Sequence, residues 1–121
     1  MKQWIPRVGL AIGGVLLLVG CASLQGAREA HAMSDARQIA WARITMMHEH
    51  PDNAIPTLND IVDSHPVLDA ERVAPFEVTE EWADPNAAGD AVILRQKKAA
   101  GGRRVVALAD GTAMVAKDGG R

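Results

Sequence analysis

The sequence predicts an α+β fold in which one long N-terminal helix packs on a small antiparallel β-meander. Three observations predict it. Apolar residues recur at intervals of three and four between residues 27 and 48, which places them on one face of a helix. Short apolar runs rich in β-branched residues fill the chain from residue 91 onward. Two of those runs are separated by Asp110-Gly111, a pair typical of a hairpin turn.

The long helix is predicted over residues 27–48, and Pro51 ends it because proline cannot donate the next backbone hydrogen bond. Its predicted apolar stripe consists of Ala32, Met33, Ala36, Ile39, Ala40, Ile44 and Met47. A one- or two-turn helix is expected next, with Thr57 as its cap and Asp60 completing a capping-box arrangement. This second helix ends at His65-Pro66, because a residue before proline is pushed out of the helical region.

The segment 67–90 is predicted to be irregular and acidic, with a short edge strand within 73–79 that Pro75 weakens. The meander that follows is predicted to contain three strands, over residues 91–96, 104–109 and 112–116. A flexible loop containing Gly101-Gly102 joins the first two.

The face of the meander beneath the helix depends on the turn at Asp110-Gly111. A two-residue loop of type I′ would pair Val106 with Val115, and Leu108 with Ala113. These four side chains are therefore expected against the long helix, since residues two apart on a strand share a face. Both tryptophans of this part of the chain, Trp41 and Trp82, are expected to fill the core.

The first twenty residues have the layout of a bacterial lipoprotein signal peptide. Lys2 and Arg7 precede an apolar run at residues 8–19, and Leu18-Val19-Gly20-Cys21 follows as a lipobox that uses the only cysteine in the chain. Cleavage before Cys21 and a thioether-linked diacylglycerol on Cys21 are expected. The alternative is an uncleaved anchor within residues 4–24, for which the apolar run is short of the ~20 residues that cross a bilayer.

The predicted organisation is a signal peptide at 1–20, a lipidated cysteine and tether at 21–26, one small domain at 27–117 and a frayed tail at 118–121. The protein is therefore expected in the cell envelope, anchored to a membrane by its lipid. Ala22 stands where an Asp would resemble an inner-membrane retention signal. This favours the periplasmic face of the outer membrane, or the cell surface, over the inner membrane.

Composition excludes several classes of function. Residues 1–20 contain two basic and no acidic residues, so the 101 residues that follow keep 11 basic and 15 acidic side chains. A general nucleic-acid binder is excluded, because neutralising phosphates requires a basic surface. With Cys21 lipidated, no thiol remains for a disulfide, a zinc cluster or a redox pair. Neither the three serines nor the dispersed carboxylates form a catalytic pattern, so we predict neither an enzyme nor a cofactor.

His48-Glu49-His50 is the densest group of metal-ligating residues, and His31 or His65 could join it. Residues two apart point to different sides of a helix, which opposes a shared metal. We therefore favour a polar helix end, whose imidazoles interact with the C-terminal dipole, over a weak metal site at His48 and His50.

Five basic residues lie around one predicted hairpin: Arg95, Lys97, Lys98, Arg103 and Arg104. They could contact anionic lipid headgroups, envelope polysaccharide or an acidic protein segment. A solvated loop that resists edge aggregation is the favoured alternative, because lysines at strand ends have that effect.

The order of elements resembles the head domain of bacterial pseudopilins and type IV pilins over residues 27–116. Many members carry Tyr-Pro-x-x-Leu-x-x-Leu after the helix, which residues 55–61 (Ile-Pro-Thr-Leu-Asn-Asp-Ile) echo, and one group runs a strand into Ala-Asp-Gly, as Ala109-Asp110-Gly111 does. The resemblance implies a pilin-like head and a place in a type II secretion or type IV pilus system. The chain departs from the pattern in three ways: it has no Gly-Phe-Thr-Leu-x-Glu start, one subgroup's histidine is replaced by Ala100, and a lipobox stands where a membrane helix would begin.

These observations together predict a lipid-anchored envelope protein with a structural or protein-interaction role. Its expected partners are the membrane, through the lipid on Cys21, and envelope or secretion-system proteins. A pseudopilin-related component and a weak metal-binding module are the alternatives.

Overall fold

The computed structural model describes the backbone of residues 4–50, 52 and 54–117, and the side chains from residue 26 onward within those ranges. The chain divides into two compact units, Met1–Ala30 and His31–Arg121. Helix α1 is Trp4–Glu49, so the predicted helix at 27–48 is confirmed. The segment 21–26, expected as a tether, also lies within α1. The side chain of Cys21 and the predicted frayed tail at 118–121 lie outside the described residues.

In the described part of the chain, no helix is both long enough and apolar enough to span a membrane.

The remaining elements belong to the second unit. They are, in chain order, α2 (Leu58–Ser64), α3 (Ala70–Val73), β1 (Phe76–Val78), a 3₁₀ helix (Glu80–Ala83), β2 (Val92–Gln96), β3 (Arg103–Leu108) and β4 (Ala113–Lys117). The four strands form one antiparallel sheet in the order β1-β2-β3-β4. One long helix and this sheet confirm the α+β class.

The capping box of α2 is confirmed. The Thr57 hydroxyl accepts a hydrogen bond from the Asp60 amide at 3.1 Å, and the Asp60 carboxylate accepts one from the Thr57 amide at 2.9 Å.

The segment 67–90, predicted to be irregular, contains the short helix α3. Asp69 caps this helix, because its carboxylate accepts a hydrogen bond from the Arg72 amide at 2.9 Å. Short helices of four residues carry too little periodicity to be recognised in a sequence.

The predicted register of the last hairpin is wrong by one residue. Val105 pairs with Val115 and Ala107 with Ala113, so Val106 and Leu108 lie on the opposite face. The loop has three residues rather than two, since the Leu108 amide donates to the Thr112 carbonyl at 2.8 Å. Gly111 supplies a positive φ of 93° at the last loop position, the geometry of a three-residue hairpin loop. A slip of one residue reverses the face of every side chain on a strand.

The two-residue loop lies instead at Gly101-Gly102, where φ is 61° and 74°. Ala100 and Arg103 close this loop with hydrogen bonds in both directions, at 2.8 and 3.2 Å. Two glycines meet the positive φ that a type I′ turn needs at both positions without steric cost.

The core lies between α1 and the face of the sheet that carries Val105 and Ala107. Its fully or nearly fully buried members are Ala36, Ile39, Ala40, Ala42, Met46, Ile61, Leu68, Val73, Phe76, Trp82, Ile93, Leu94, Val105 and Ala107. Ala113 and Val115, both predicted to face the helix, pack against this cluster, and so does Ala32. Ala36 and Ala40 of α1 are both fully buried in this cluster.

Candidate functional site

Arg43 is the feature of the described residues that most needs a physical explanation. It is 3% exposed and is the only charged or polar residue in the described part of the chain that is buried to this degree. It lies on α1 among the apolar positions, four residues after Ile39 and three before Met46. Burial of a charged side chain is unfavourable unless its donors are satisfied and its charge is compensated.

Part of the guanidinium holds the 3₁₀ helix against α1. Nε donates to the Trp82 carbonyl oxygen at 3.1 Å, and Nη2 donates to the same oxygen at 2.9 Å and to the Asp84 carbonyl oxygen at 3.0 Å. These carbonyls lie at the C-terminal end of the 3₁₀ helix, where backbone oxygens lack partners within the helix. Arg43 therefore adds donors to this helix end beyond the local backbone bond from the Asp84 amide to the Glu81 carbonyl oxygen at 3.1 Å.

Trp82 completes this arrangement from the other side. The guanidinium carbon of Arg43 lies 5.4 Å from the centroid of the Trp82 ring, within the range of a cation–π interaction. The ring is itself fixed, because its Nε1 donates to the Pro56 carbonyl oxygen at 2.9 Å. The expectation that Trp82 fills the core is confirmed, since the residue is 4% exposed.

The charge of Arg43 has no direct carboxylate partner within the described ranges. Ion pairs there join Arg72 to Asp35, and Arg95 to Glu77. Burial lowers the pKa of Arg43 below its ordinary value, and the charge of Asp84 opposes this shift from a distance. The side chain remains a cation, because an arginine guanidinium does not lose its proton in proteins.

A cavity of about 400 Å³ opens beside this cation. Its polar lining comprises Arg43, His48 and Asn86, and its apolar lining includes Ile44, Met47, Ala87 and Ala109. Nε and Nη2 are occupied by carbonyls, which leaves Nη1 of Arg43 as the guanidinium nitrogen without a hydrogen bond among the described residues. The cavity thus combines one buried cation with an apolar wall, as small-molecule and peptide sites commonly do.

The two histidines of the predicted metal site are directed to different places. His48 lines the cavity at Arg43, whereas His50 lines a separate one of about 310 Å³ that includes Met46 and Asp60. Across the part of the chain that the structure describes, no group of three or more His, Cys, Asp or Glu side chains is placed to hold a metal ion. The weak metal site at His48 and His50 therefore gains no support from the geometry.

The five residues of the predicted basic patch lie on β2, on β3 and in the loop between these strands. Arg95 lies on β2 and pairs with Glu77 across the sheet, with 3.0 Å between Nε and Oε1. Lys97 and Lys98 lie in the loop after β2, and both are exposed. Arg103 begins β3 and is exposed, while Arg104 is half-buried, with its Nη1 3.3 Å from the Gln96 carbonyl oxygen. Arg95 and Arg104 thus have partners within the fold.

Trp41 is not a core residue, contrary to the prediction. It is 52% exposed, and its ring lies over Gly111, because α1 turns this position away from the sheet and toward the Asp110-Gly111 loop. Trp41 also lines a shallow groove of about 340 Å³ with Val67, Leu68 and Pro66. The Nδ1 atom of His65, in the same groove, is buried without a hydrogen-bond partner among the described residues.

No protein-family model, curated protein or solved structure matches this chain.

Sequence reasoning did not identify Arg43 as a functional candidate. The available signal was its position, since an arginine within an apolar stripe is either a buried cation or a break in the stripe. Its carbonyl partners come from a 3₁₀ helix about forty residues later in the chain, which no local pattern predicts.

Proposed function

We propose that this protein is a lipid-anchored envelope protein whose α+β domain acts by binding a partner rather than by catalysis. The observation that carries the anchoring is Leu18-Val19-Gly20-Cys21, which follows a charged and then apolar segment and contains the chain's only cysteine. Acyl chains on Cys21 would fix the protein to a membrane, because each buried methylene contributes about 0.8 kcal/mol. The residue after the lipobox favours the outer membrane or the cell surface.

The cavity at Arg43 supports the binding role. A buried cation, a nitrogen without a partner and an apolar wall are the features of a recognition site. The described residues bring no nucleophile and base together beside it, since its polar lining consists of arginine, histidine and asparagine.

Metabolic labelling with an alkyne analogue of palmitate tests the anchoring. The wild-type protein is expected to take up the label, and the Cys21→Ala variant is expected to lose it and to remain uncleaved. An Ala22→Ser variant, altered at the neighbouring position, is the matched control and should be labelled as wild type. Label that persists in the Cys21→Ala protein would contradict the proposal.

A pseudopilin-related role is the second candidate. It is favoured by the order of elements, in which the long helix α1 is followed by an antiparallel meander whose last turn contains Asp110-Gly111. A pilin-like head also consists of a long helix followed by a meander. In-cell crosslinking from Met114, a 47% exposed side chain replaced by a photoreactive residue, should then trap a secretion or pilus subunit. Absence of any such product, with wild-type accumulation of the protein, would argue against this role.

A further inference from the structure

We infer that the cavity at Arg43 binds a carboxylate carried on a small apolar group. This inference rests on the proposed binding role of the domain and names the chemistry of its ligand. The cavity supplies one fully buried cation that no carboxylate of the described residues neutralises directly. A ligand carboxylate at Nη1 would complete a charge-assisted hydrogen bond, which is stronger than a bond between neutral groups.

The charge of the cavity selects the class of anion. Arg43 is its single permanent cation, and the nearby Asp84 carboxylate reduces the positive potential. A ligand with one negative charge therefore matches the single positive charge of the cavity, whereas a phosphate monoester would bring close to two negative charges to one guanidinium. The Asp84 carboxylate does not itself occupy the site, because its Oδ1 accepts from the Asn86 amide at 2.9 Å.

The rest of the lining selects what carries the carboxylate. Ile44 and Met47 from α1, together with Ala87 and Ala109, line the cavity, so the carbon chain of the ligand would contact apolar side chains. A volume of about 400 Å³ is near the lower end of the ~300–1,000 Å³ typical of ligand sites. Two sources fit this chemistry: a free aliphatic acid, and the C-terminal carboxylate of a chain that ends in an aliphatic residue.

The site is preformed, which distinguishes it from a chance arrangement of surface charges. Three hydrogen bonds to the Trp82 and Asp84 carbonyls and the Trp82 ring fix the guanidinium before any ligand arrives. A fixed guanidinium loses little side-chain entropy on binding. The Arg43 Nε–H group donates to the Trp82 carbonyl oxygen, and its magnetic resonance signal can report whether a ligand is bound in the cavity.

Titration of the ¹⁵N-labelled full chain in zwitterionic detergent micelles tests the inference by nuclear magnetic resonance. The probes are acetyl-Ala-Leu with a free carboxyl terminus, its C-terminal amide, hexanoate and hexanamide. We expect saturable shifts of the Arg43 Nε–H signal and of the Asn86 and Ala87 amides with the acids. Each acid should bind at least tenfold more tightly than its amide.

Two loop variants keep Arg43 and the fold intact. Ala87→Leu places a larger side chain in the cavity and should weaken binding of both acids at least tenfold. Ala88→Leu, one residue later and exposed, should leave affinity within twofold of wild type. Equal affinity for hexanoate and acetyl-Ala-Leu would assign the site to small acids, whereas tenfold preference for acetyl-Ala-Leu would assign it to chain termini.

Three results would overturn the inference: equal binding of acid and amide, no saturable shift with either acid, or wild-type affinity in Ala87→Leu. Failure of this inference is distinguishable from failure of the proposed anchoring. Wild-type protein that binds the acids but takes up no palmitate would contradict the anchoring alone. Palmitate incorporation without acid binding would overturn the inference alone.

Discussion

Gly111 is the glycine that the fold most strictly requires, for two independent reasons. Its φ of 93° is unfavourable for any residue with a Cβ, and a Cβ there would lie 2.7 Å from the Cε2 atom of Trp41. The backbone conformation and the packing of Trp41 therefore both require glycine at position 111. This contact explains why Trp41 stays against the hairpin while half of its surface is exposed.

Gly111→Ala is predicted to lower the free energy of unfolding by about 2 kcal/mol or more, combining the left-handed backbone cost with the steric overlap. Gly102→Ala is the matched control, because φ there is 74° but nothing lies within 4 Å of the added methyl. Urea denaturation of both variants separates the two contributions. If both lose the same stability, the overlap with Trp41 has no energetic effect.

Asp110, the neighbour of Gly111, predicts a dependence of stability on pH. The hydroxyl and the amide of Thr112 both donate to its Oδ1, at 2.6 and 3.0 Å, and these bonds lower the pKa of Asp110 below its ordinary value. The charged form is thus favoured in the folded state. Its contribution is present above the unfolded pKa of about 3.9 and is lost as pH falls through the lower folded pKa.

Thr112→Val removes the hydroxyl bond and keeps the amide bond, so the pKa of Asp110 should rise toward its ordinary value. Carbon-detected NMR titration of the Asp110 carboxyl measures this directly. The stability that wild type loses below about pH 4 should then be smaller in Thr112→Val. An Asp110 that titrates identically in both proteins would contradict this account.

At the scale of elements, Arg43 joins α1 to the 3₁₀ helix through two carbonyl oxygens. Arg43→Met keeps much of the side-chain volume but leaves the Trp82 carbonyl without a donor, while the Asp84 carbonyl keeps the Ala87 amide at 3.3 Å. We expect a loss of about 1–3 kcal/mol in unfolding free energy, which is the cost of a buried polar group without a partner. Arg37→Met, at an exposed position of the same helix, should change stability by less than about 0.5 kcal/mol. Equal denaturation midpoints for the two variants would show that the Trp82 carbonyl finds water instead.

Elements with strong local signals could be predicted from the sequence. The α1 stripe from Ala32 to Ala40, the Thr57 capping box and the strand content of residues 91–117 depend on neighbours within a few positions. The predicted end of the stripe is wrong, because Ala42 and Met46 join the core cluster in place of Ile44 and Met47. The register of β3 against β4 could not, because Asp110-Gly111 is compatible with loops of two and of three residues. The packing of Trp41 on Gly111 comes from a helix seventy residues earlier in the sequence, and it suits the three-residue loop.

The irregularity in β2 and the cavity at Arg43 could not be predicted either, because both depend on contacts between distant parts of the chain. Ile93 and Leu94 are consecutive and both fully buried, because the β2–β3 register shifts between Val92 and Leu94. Two residues of one strand then oppose one of the other, which the alternating pattern of a strand does not reveal. The Arg43 cavity likewise joins α1 to the loop at 84–87 and to Ala109, which only the tertiary fold brings together.

At the scale of the whole molecule, the described hydrophobic core lies entirely within the second unit, His31–Arg121. Its first contributor is Ala32, and its last is Val115. The nineteen residues of α1 that belong to this unit would be marginally stable as an isolated helix. Their stability therefore comes from burying Ile39, Ala40 and Met46 against the sheet.

A fragment of residues 31–121 is accordingly predicted to fold alone, with a cooperative urea transition whose midpoint matches that of the full chain. A fragment of residues 50–121 is the matched control and should not fold, because it lacks the α1 side chains that cover Val105 and Ala107. Circular dichroism and urea denaturation of both fragments provide the measurement. A non-cooperative transition in the longer fragment would show that residues before His31 stabilise the domain. Folding of that fragment would instead show that the domain does not need the residues before His31 for its stability.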